Sequence, residues 1–98
     1  MPKAVRLGDI STGHPHCYPS RPNTEASSDV LINGRGAHRL GDAWAVHGAC
    51  DDHSPHGGSA AGGSPNVYVN GKALCRIGDP ISCGDTMATG SDDVIVNG

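Results

Sequence analysis

The chain of 98 residues has the length of one small domain, spanning 1–98, and only 36% of its residues are hydrophobic, with one Trp, two Tyr and no Phe. So thin a core is expected to need a disulfide, a metal or a partner for its stability. The formal net charge of −3 provides no basic surface, which argues against nucleic acid as a partner.

No positively charged segment followed by an apolar run opens the sequence, and no stretch is apolar over the length needed to span a membrane. We therefore expect a protein made in the cytoplasm without a signal peptide. Because thiols stay reduced there, the four Cys and six His favour a bound metal over disulfides.

One sequence pattern occurs three times along the chain, and the N-terminus supplies what the third copy lacks. Each copy is an apolar triplet followed by Asn-Gly, and the copies are residues 28–34, 65–71 and 92–98. Arg, then Leu or Ile, then Gly-Asp follows the first two copies, and the same tetrapeptide stands alone at residues 6–9. The pattern therefore indicates a ring of three similar units with one cut in it.

In chain order, each apolar triplet with its Asn-Gly pair predicts a β-hairpin, because both turn residues tolerate positive φ. The predicted return strands are Ala37–Leu40 and Ala73–Ile77. No stretch has a helical period, so we predict an all-β fold of three β-hairpin repeats with pseudo-threefold symmetry. The connecting loops should gather at one end with the chemistry, and they are residues 10–27, 43–63 and 80–90.

Alternation along the predicted strands divides the apolar triplets between two faces. One face would carry Val30 with Ile32 and the equivalent residues Val67, Val69, Val94 and Val96. The other would carry Leu31, Tyr68 and Ile95. One set should fill the core and the other should form a docking surface, and the sequence leaves open which does which.

Candidate metal ligands recur at nearly the same place in each repeat. Five positions after Asp9 comes His14, and five after Asp42 comes His47; four after Asp79 comes Cys83. Threefold closure would bring these three side chains together at the axis. A closed tetrahedral zinc site needs a fourth protein ligand, and with four such ligands the zinc would be structural.

The fourth ligand is expected in the longest loop, where His56 precedes Gly57-Gly58 and the backbone can bend. His53 and Cys50 are alternatives to His56. In the first loop, His16 and Cys17 compete with His14.

Other polar residues in the pattern have structural interpretations. The repeated aspartates, Asp9, Asp42 and Asp79, are expected to close turns by bonding backbone N–H groups rather than to form an acid/base cluster. Cys75 is interpreted as a small buried hydrophobe, His38 as a strand-face residue and Trp44 as a loop anchor. Cys83 with His47 could be drawn as a catalytic dyad, but no orienting third group or cleft is evident.

With these repeats and candidate ligands, the chain resembles the PAAR-repeat proteins. The resemblance is strong in residues 70–79 and holds in residues 33–42, and the opening residues 7–14 and the closing Ser82-Cys83-Gly84 also look like the family. The Pro-Ala-Ala-Arg tetrapeptide itself is absent; Gly36-Ala37-His38-Arg39 and Ala73-Leu74-Cys75-Arg76 stand in its place.

The resemblance implies a small cone of β-hairpins with a zinc ion near its tip, and by position the ligands are His14, His47, His56 and Cys83. It implies a non-enzymatic tip whose base caps a trimeric β-helical spike, one tip per trimer, in bacterial type VI secretion or a contractile phage tail. The tip would be delivered on the spike and would contact the target envelope only in passing as it helps to pierce it. Longer members carry toxin domains, so effectors are further possible partners.

Two alternatives from other classes stay open. One is a small zinc-dependent or thiol enzyme, which would need an open coordination position or a reactive thiol. The other is a free-standing metal-binding module with no spike.

Overall fold

The computed structural model describes residues 2–13, 19–47 and 56–96, with the backbone alone for the two residues His47 and His56. Within these ranges the chain is all-β, and no helix able to cross a membrane occurs there. The six strands form three antiparallel pairs. They are β1 (Leu31–Ile32), β2 (Arg35–Gly36), β3 (Ala43–His47), β4 (His56–Ser59), β5 (Tyr68–Val69) and β6 (Lys72–Ala73).

The Asn-Gly pairs form the predicted hairpin turns in β1–β2 and β5–β6. Asn33 and Gly34 have φ of 54° and 76°, and the equivalent Asn70 and Gly71 have 53° and 78°. Two consecutive residues with positive φ define a two-residue turn whose twist matches the flanking strands. Pairing therefore resumes at the residue directly after the turn, and the return strands, of two residues each, begin and end earlier than the predicted Ala37–Leu40 and Ala73–Ile77.

The third hairpin is completed by the other end of the chain, as the ring pattern predicts. Lys3 pairs with Ile95, the Ala4 N–H donates to the Val94 carbonyl at 3.0 Å, and the Val96 N–H donates to the Pro2 carbonyl at 2.8 Å. The N-terminal segment thus occupies the place that a return strand has in the other two repeats. This closure confirms the pseudo-threefold arrangement of three hairpin units.

A closed triangle of backbone hydrogen bonds joins the three repeats. The Val5 N–H donates to the Cys75 carbonyl, the Cys75 N–H to the His38 carbonyl, and the His38 N–H to the Val5 carbonyl. All three N···O distances are 3.0 Å. Because each repeat donates to one neighbour and accepts from the other, the repeats hold one another in register.

The repeated Arg and Asp residues build three equal turns. In each turn the Asp carboxylate accepts from the backbone N–H of the Arg three residues earlier, at 2.7 to 2.9 Å, and from its guanidinium. The turn-closing role predicted for the aspartates is therefore confirmed. Burial alone would raise the pKa of Asp42, but the bonds from Arg39 outweigh it and hold that pKa below its usual value.

The core consists of two adjoining clusters of buried apolar residues. The first, which we name the ring cluster, takes two residues from each repeat: Ala4, Ile32, Ala37, Val69, Leu74 and Val96. The second, the loop cluster, lies under the loops and includes the residues that directly follow Ala4 and Leu74 in the chain. Its members are Val5, Trp44, Ala60, Cys75, Ile81 and Met87. The two clusters place the hairpins at one end of the core and the loops at the other.

The longest inter-repeat loop contains a strand pair that the sequence analysis did not predict. Ala43 pairs with Ser59 and Trp44 with Gly58, after which the register shifts before His47 pairs with His56. Trp44 is therefore a buried strand residue rather than a loop anchor. His38 likewise differs from its interpretation, because it is fully buried beside Trp44 and not on a strand face.

Candidate docking face and metal site

The three hairpins present an exposed apolar surface with threefold repetition. Leu31, Tyr68 and Ile95 are the middle residues of the three triplets, and their exposed fractions are 60%, 61% and 56%. Their neighbours Ile32, Val69 and Val96 point into the ring cluster. The remaining triplet residues, Val30, Val67 and Val94, are also exposed. We name these six exposed residues the apolar ring.

The apolar ring answers the question that alternation left open. Only half of the valine face is core: Ile32, Val69 and Val96 are buried, whereas the residue two positions earlier in each triplet stays exposed. The exposed apolar surface therefore includes the Leu31 set together with the first residue of each triplet. A contiguous apolar surface left open on a small protein commonly marks an interaction site.

A polar network that the sequence analysis missed fixes the hairpin turns under the apolar ring. The Asn33 side-chain oxygen accepts from the Ser91 hydroxyl at 2.5 Å and from Arg6 at 3.2 Å, while its amide donates to Asp93 at 2.9 Å. Asn70 makes the equivalent bonds to Ser27, Arg39 and Asp29 of the first repeat. Each asparagine thus ties its turn to a neighbouring repeat. The available signal was a Ser directly before each repeat, at residues 27, 64 and 91.

The opposite end of the molecule consists of three loops that start from equivalent pairs. Ile10 pairs with Pro22, Ala43 with Ser59 and Pro80 with Thr86, all antiparallel. The three candidate ligands that the repeat spacing selected follow the first residue of each pair, by four positions in the first two loops and three in the last. The repeat symmetry therefore extends to the base of each loop that carries a candidate ligand.

The candidate ligands themselves are described to different degrees. His47 and His56 are opposed Cα partners at the end of the β3–β4 ladder, and only their backbone is described. His14 lies outside the described residues, as do the alternatives His16, Cys17, Cys50 and His53. Cys83 is described and half-buried against the loop cluster.

The Cys83 loop packs directly on strand β4. A Cβ built on Gly58 would lie 3.2 Å from the Cys83 nitrogen and 3.1 Å from the Ser82 hydroxyl, so glycine permits the close approach. The Ser82 N–H donates to the Ser59 carbonyl at 2.9 Å. The predicted cysteine ligand Cys83 thus lies beside Gly58, which is two residues after the predicted ligand His56 in β4.

The chemistry of these donors fits zinc, which prefers thiolate and imidazole ligands. Among the residues whose side chains are described, no group of three His, Cys, Asp or Glu could hold a metal. The other described thiol belongs to the core: burial raises the pKa of Cys75 to about 12, and its sulfur lies 3.4 Å from the Gly62 carbonyl oxygen. The interpretation of Cys75 as a small buried hydrophobe is confirmed.

The described cavity beside Cys83 is too small for a substrate. It has room for roughly one water molecule and is lined by residues of three loops, among them Ser11, Trp44, Ile81 and Asp85. Ligand pockets for small molecules are commonly about 300 Å³ or larger. Among the described residues, this cavity therefore has room for no more than a water molecule.

Comparison with known proteins gives the same assignment as the repeats. The PAAR motif family matches residues 50–98, which is half of the chain. Double-stranded DNA deaminase toxin A of Burkholderia cenocepacia (strain H111) is 36% identical over 91 residues. That similarity covers 93% of this chain but only 5% of the toxin. With its repeats closed into a ring of three hairpins, the chain belongs to the PAAR motif family.

Proposed function

We propose that this protein is a non-enzymatic tip that caps the blunt end of a trimeric β-helical spike in a contractile injection machine, of the type VI secretion or phage-tail kind. Membership in the PAAR motif family supports a spike-associated or effector-associated role in a secretion system. The observation that carries the finer proposal is the apolar ring, in which one chain presents three similar hairpin edges.

The threefold repetition of the apolar ring favours a threefold partner. A homotrimer offers three identical sites around its axis, and one tip can fill all three at once through Leu31, Tyr68 and Ile95. The stoichiometry would then be one tip per trimer. The Asn33 and Asn70 networks favour the same role, because they fix the turns before binding and so reduce the ordering that docking requires.

At the other end, we propose a structural zinc ion held by His14, His47, His56 and Cys83. The support is the register of the three loops, the pairing of His47 with His56, and the packing of the Cys83 loop on Gly58. Bound there, zinc would supply a cross-link between the three loops beyond the loop cluster. A firm loop end would suit the piercing of a target envelope, with the tip delivered on its spike.

The deaminase toxin that contains a similar stretch supports a link with effectors. We propose that a tip of this kind travels with an effector, as a separate partner or within one longer chain. An enzymatic role for the chain itself is the runner-up, and it predicts a turnover that Cys83→Ser abolishes while the fold survives. Four protein ligands would leave zinc no open position for such chemistry.

To test the docking proposal, the chain is co-expressed with a trimeric β-helical spike protein encoded by a neighbouring gene. The mass of the complex is then measured by native mass spectrometry. One tip per trimer is expected. Tyr68→Glu should abolish the complex and leave the metal content unchanged, whereas Leu7→Glu, at an exposed leucine outside the apolar ring, should leave the complex intact. Three tips per trimer, or equal loss with both variants, would contradict the proposal.

The metal proposal is tested by elemental analysis of protein never exposed to chelator. About one zinc per chain is expected. Cys83→Ser should lose most of it, while Cys75→Val, which inserts the residue that the equivalent position Val5 already has, should keep it. Protein with no transition metal would refute the site, and a His14→Ala variant with full zinc content would move that ligand to His16 or Cys17.

A further inference from the structure

One repeat departs from the others at the centre of the core. His38 occupies the position that Val5 and Cys75 hold in the other two repeats, in the triangle of backbone hydrogen bonds. Its side chain is fully buried, with an exposed fraction of 0%. An imidazole in place of a small apolar side chain brings two ring nitrogens into the core, and buried polar groups ordinarily need partners.

Only one of the two ring nitrogens of His38 has a partner. Nδ1 lies 2.8 Å from the Glu25 carbonyl oxygen, and because a carbonyl only accepts, Nδ1 carries the proton of the neutral ring. Nε2 has no hydrogen-bond partner among the described residues. The neutral ring therefore keeps a bare acceptor at Nε2, and a protonated ring would have a buried donor there.

Among the described residues, no group around the imidazole is free to accept a hydrogen bond from that second N–H. The Glu25 carboxylate accepts from the Ala43 N–H, the Asp42 carboxylate is bound by Arg39, and the Cys75 thiol is neutral. Burial lowers the pKa of His38, against smaller opposing effects from the Glu25 carbonyl and Asp42. The remaining face of the ring meets Trp44 edge-on, with centroids 5.2 Å apart and planes at 83°.

Trp44 connects this contact to the loop end. It lies in β3, three residues before His47, and its own Nε1 is buried without a hydrogen-bond partner among the described residues. We propose that His38 and Trp44 form an acid-sensitive switch under the β3–β4 ladder. Neutral His38 packs against Trp44 and holds β3 in place; protonation at Nε2 gives the buried ring a charge and an N–H with no acceptor among the described residues, so the ring leaves its buried position and its packing on Trp44 is lost.

The direction of the pH effect follows from the burial of the neutral ring. The unfolded chain takes up a proton on this residue near pH 6.5, whereas the folded chain does so only at lower pH. The stabilisation that neutral His38 provides is therefore complete above about pH 6.5. It is lost as the pH falls below that value, and the unfolding equilibrium changes by at most about tenfold per pH unit.

The test follows Trp44 fluorescence and the His38 imidazole resonances between pH 7.5 and 4.5 in the intact chain with its metal. Trp44 is the one tryptophan of the sequence, so its emission reports this site alone. We expect one transition below pH 6.5, shared by the two signals. In His38→Val, which copies the equivalent residue Val5, the emission change should disappear and the unfolding equilibrium should become up to tenfold less pH-dependent per unit.

Acid also releases zinc from histidine and cysteine ligands, so a zinc indicator is read in the same samples. Acid release of any bound zinc should persist in His38→Val, which separates the switch from the metal site. The proposal is overturned if His38→Val keeps the wild-type emission change, or if the His38 resonances titrate at pH 6.5 or above. Should His38→Val fail to fold, the resonances of the unaltered protein decide between these outcomes.

Discussion

The hairpin end and the loop end of this molecule are built on the same threefold plan but use it differently. At the hairpin end each contact recurs: three Arg–Asp turns, three cross-repeat hydrogen bonds and two exposed apolar residues in each of the three triplets. At the loop end the plan reaches only the first pair of each loop, after which lengths and residues differ. Repetition thus supplies a scaffold and a symmetric surface, while the loops carry residues that occur once.

The energetic basis of the two ends should differ accordingly. The hairpin end rests on interlocked hydrogen bonds and the ring cluster, so its stability is shared among the repeats. The β3–β4 ladder at the loop end has an irregular register and two glycines, Gly57 and Gly58, which contribute no side-chain packing. A bound metal would therefore matter more at the loop end than at the hairpin end.

Removal of the proposed zinc should have the largest effect, and it should begin at the loop end. Structural zinc contributes on the order of 10 kcal/mol in small zinc domains, and a whole domain is stable by about 5–15 kcal/mol. Chelation should therefore lower the thermal midpoint sharply. By amide hydrogen exchange, protection of β3 and β4 should disappear before that of the Val5, His38 and Cys75 amides.

Two results would contradict that contrast. If the triangle amides lose protection together with β3 and β4, the two ends unfold as one unit. If the thermal midpoint does not move after complete stripping of metal, zinc is incidental to the fold.

Asp42→Ala should have the next largest effect, and it acts at the hairpin end. The fully buried carboxylate accepts from the backbone N–H and guanidinium of Arg39, at 2.8 to 3.0 Å. Its removal leaves the mostly buried Arg39 cation without its counter-charge, with only the Asn70 oxygen as a side-chain acceptor, and leaves the Arg39 N–H unpaired, which typically costs about 3–5 kcal/mol. Denaturant unfolding measures the loss.

The control for Asp42→Ala is Asp92→Ala, which removes a carboxylate from an exposed pair with Lys3 at 3.2 Å. That change should alter the free energy of unfolding by no more than about 0.5 kcal/mol. Equal losses for the two variants would show that burial of the Arg–Asp turn adds nothing.

Acid should weaken the hairpin end in a pH window of its own. Burial would raise the pKa of Asp9 and of Asp42, but bonds from Arg6 and Arg39 outweigh it and lower both. Carboxylates with lowered pKa stabilise the fold above the unfolded value near 4, and their contribution is lost as the pH falls below it, by at most about 1.4 kcal/mol per pH unit each.

The measurement is denaturant stability from pH 5 to pH 2 for the wild type and Asp42→Asn. The variant should start lower and lose less over this range, because one of these two carboxylates with lowered pKa is gone. Parallel curves would mean that Asp42 does not contribute to the acid lability.

The repeats explain how much of this fold the sequence could predict. Asn33-Gly34 and Asn70-Gly71 specify their hairpins locally, and the ring closure of Lys3 on Ile95 follows from the order of the copies. The spacing of His14, His47 and Cys83 selected positions that follow equivalent loop pairs.

Other features have no local signal. The β3–β4 ladder lacks an Asn-Gly turn, and its glycines indicate a bend as readily as a strand. Burial of His38 could not be predicted because its neighbours in sequence do not alternate regularly, and its partner Trp44 belongs to another segment. In both cases the structure depends on contacts between segments that are distant in the chain.

Each repeat accommodates a close backbone approach with a glycine on one side of the contact or the other. In the first repeat Gly36 faces Ala26, and a Cβ on Gly36 would lie 2.4 Å from the Ser27 carbonyl oxygen. In the second repeat the glycine is on the other side of the contact. A Cβ added to Gly63 would lie 2.8 Å from the Cβ of Ala73. The two repeats therefore use complementary residue pairs for the same contact.

Gly36→Ala should destabilise the protein by about 1–3 kcal/mol, because the added methyl has no room unless the Ser27 backbone shifts. Adding Ala26→Gly recreates the pair of the second repeat and should recover more than half of that loss. Ala26→Gly alone should cost only about 0.5–1 kcal/mol, through the greater freedom of glycine in the unfolded chain. Thermal unfolding of the four proteins gives a double-mutant cycle, whose coupling should exceed about 0.5 kcal/mol. Additive effects would show that the two repeats solve this contact separately and that their equivalence stops at the backbone.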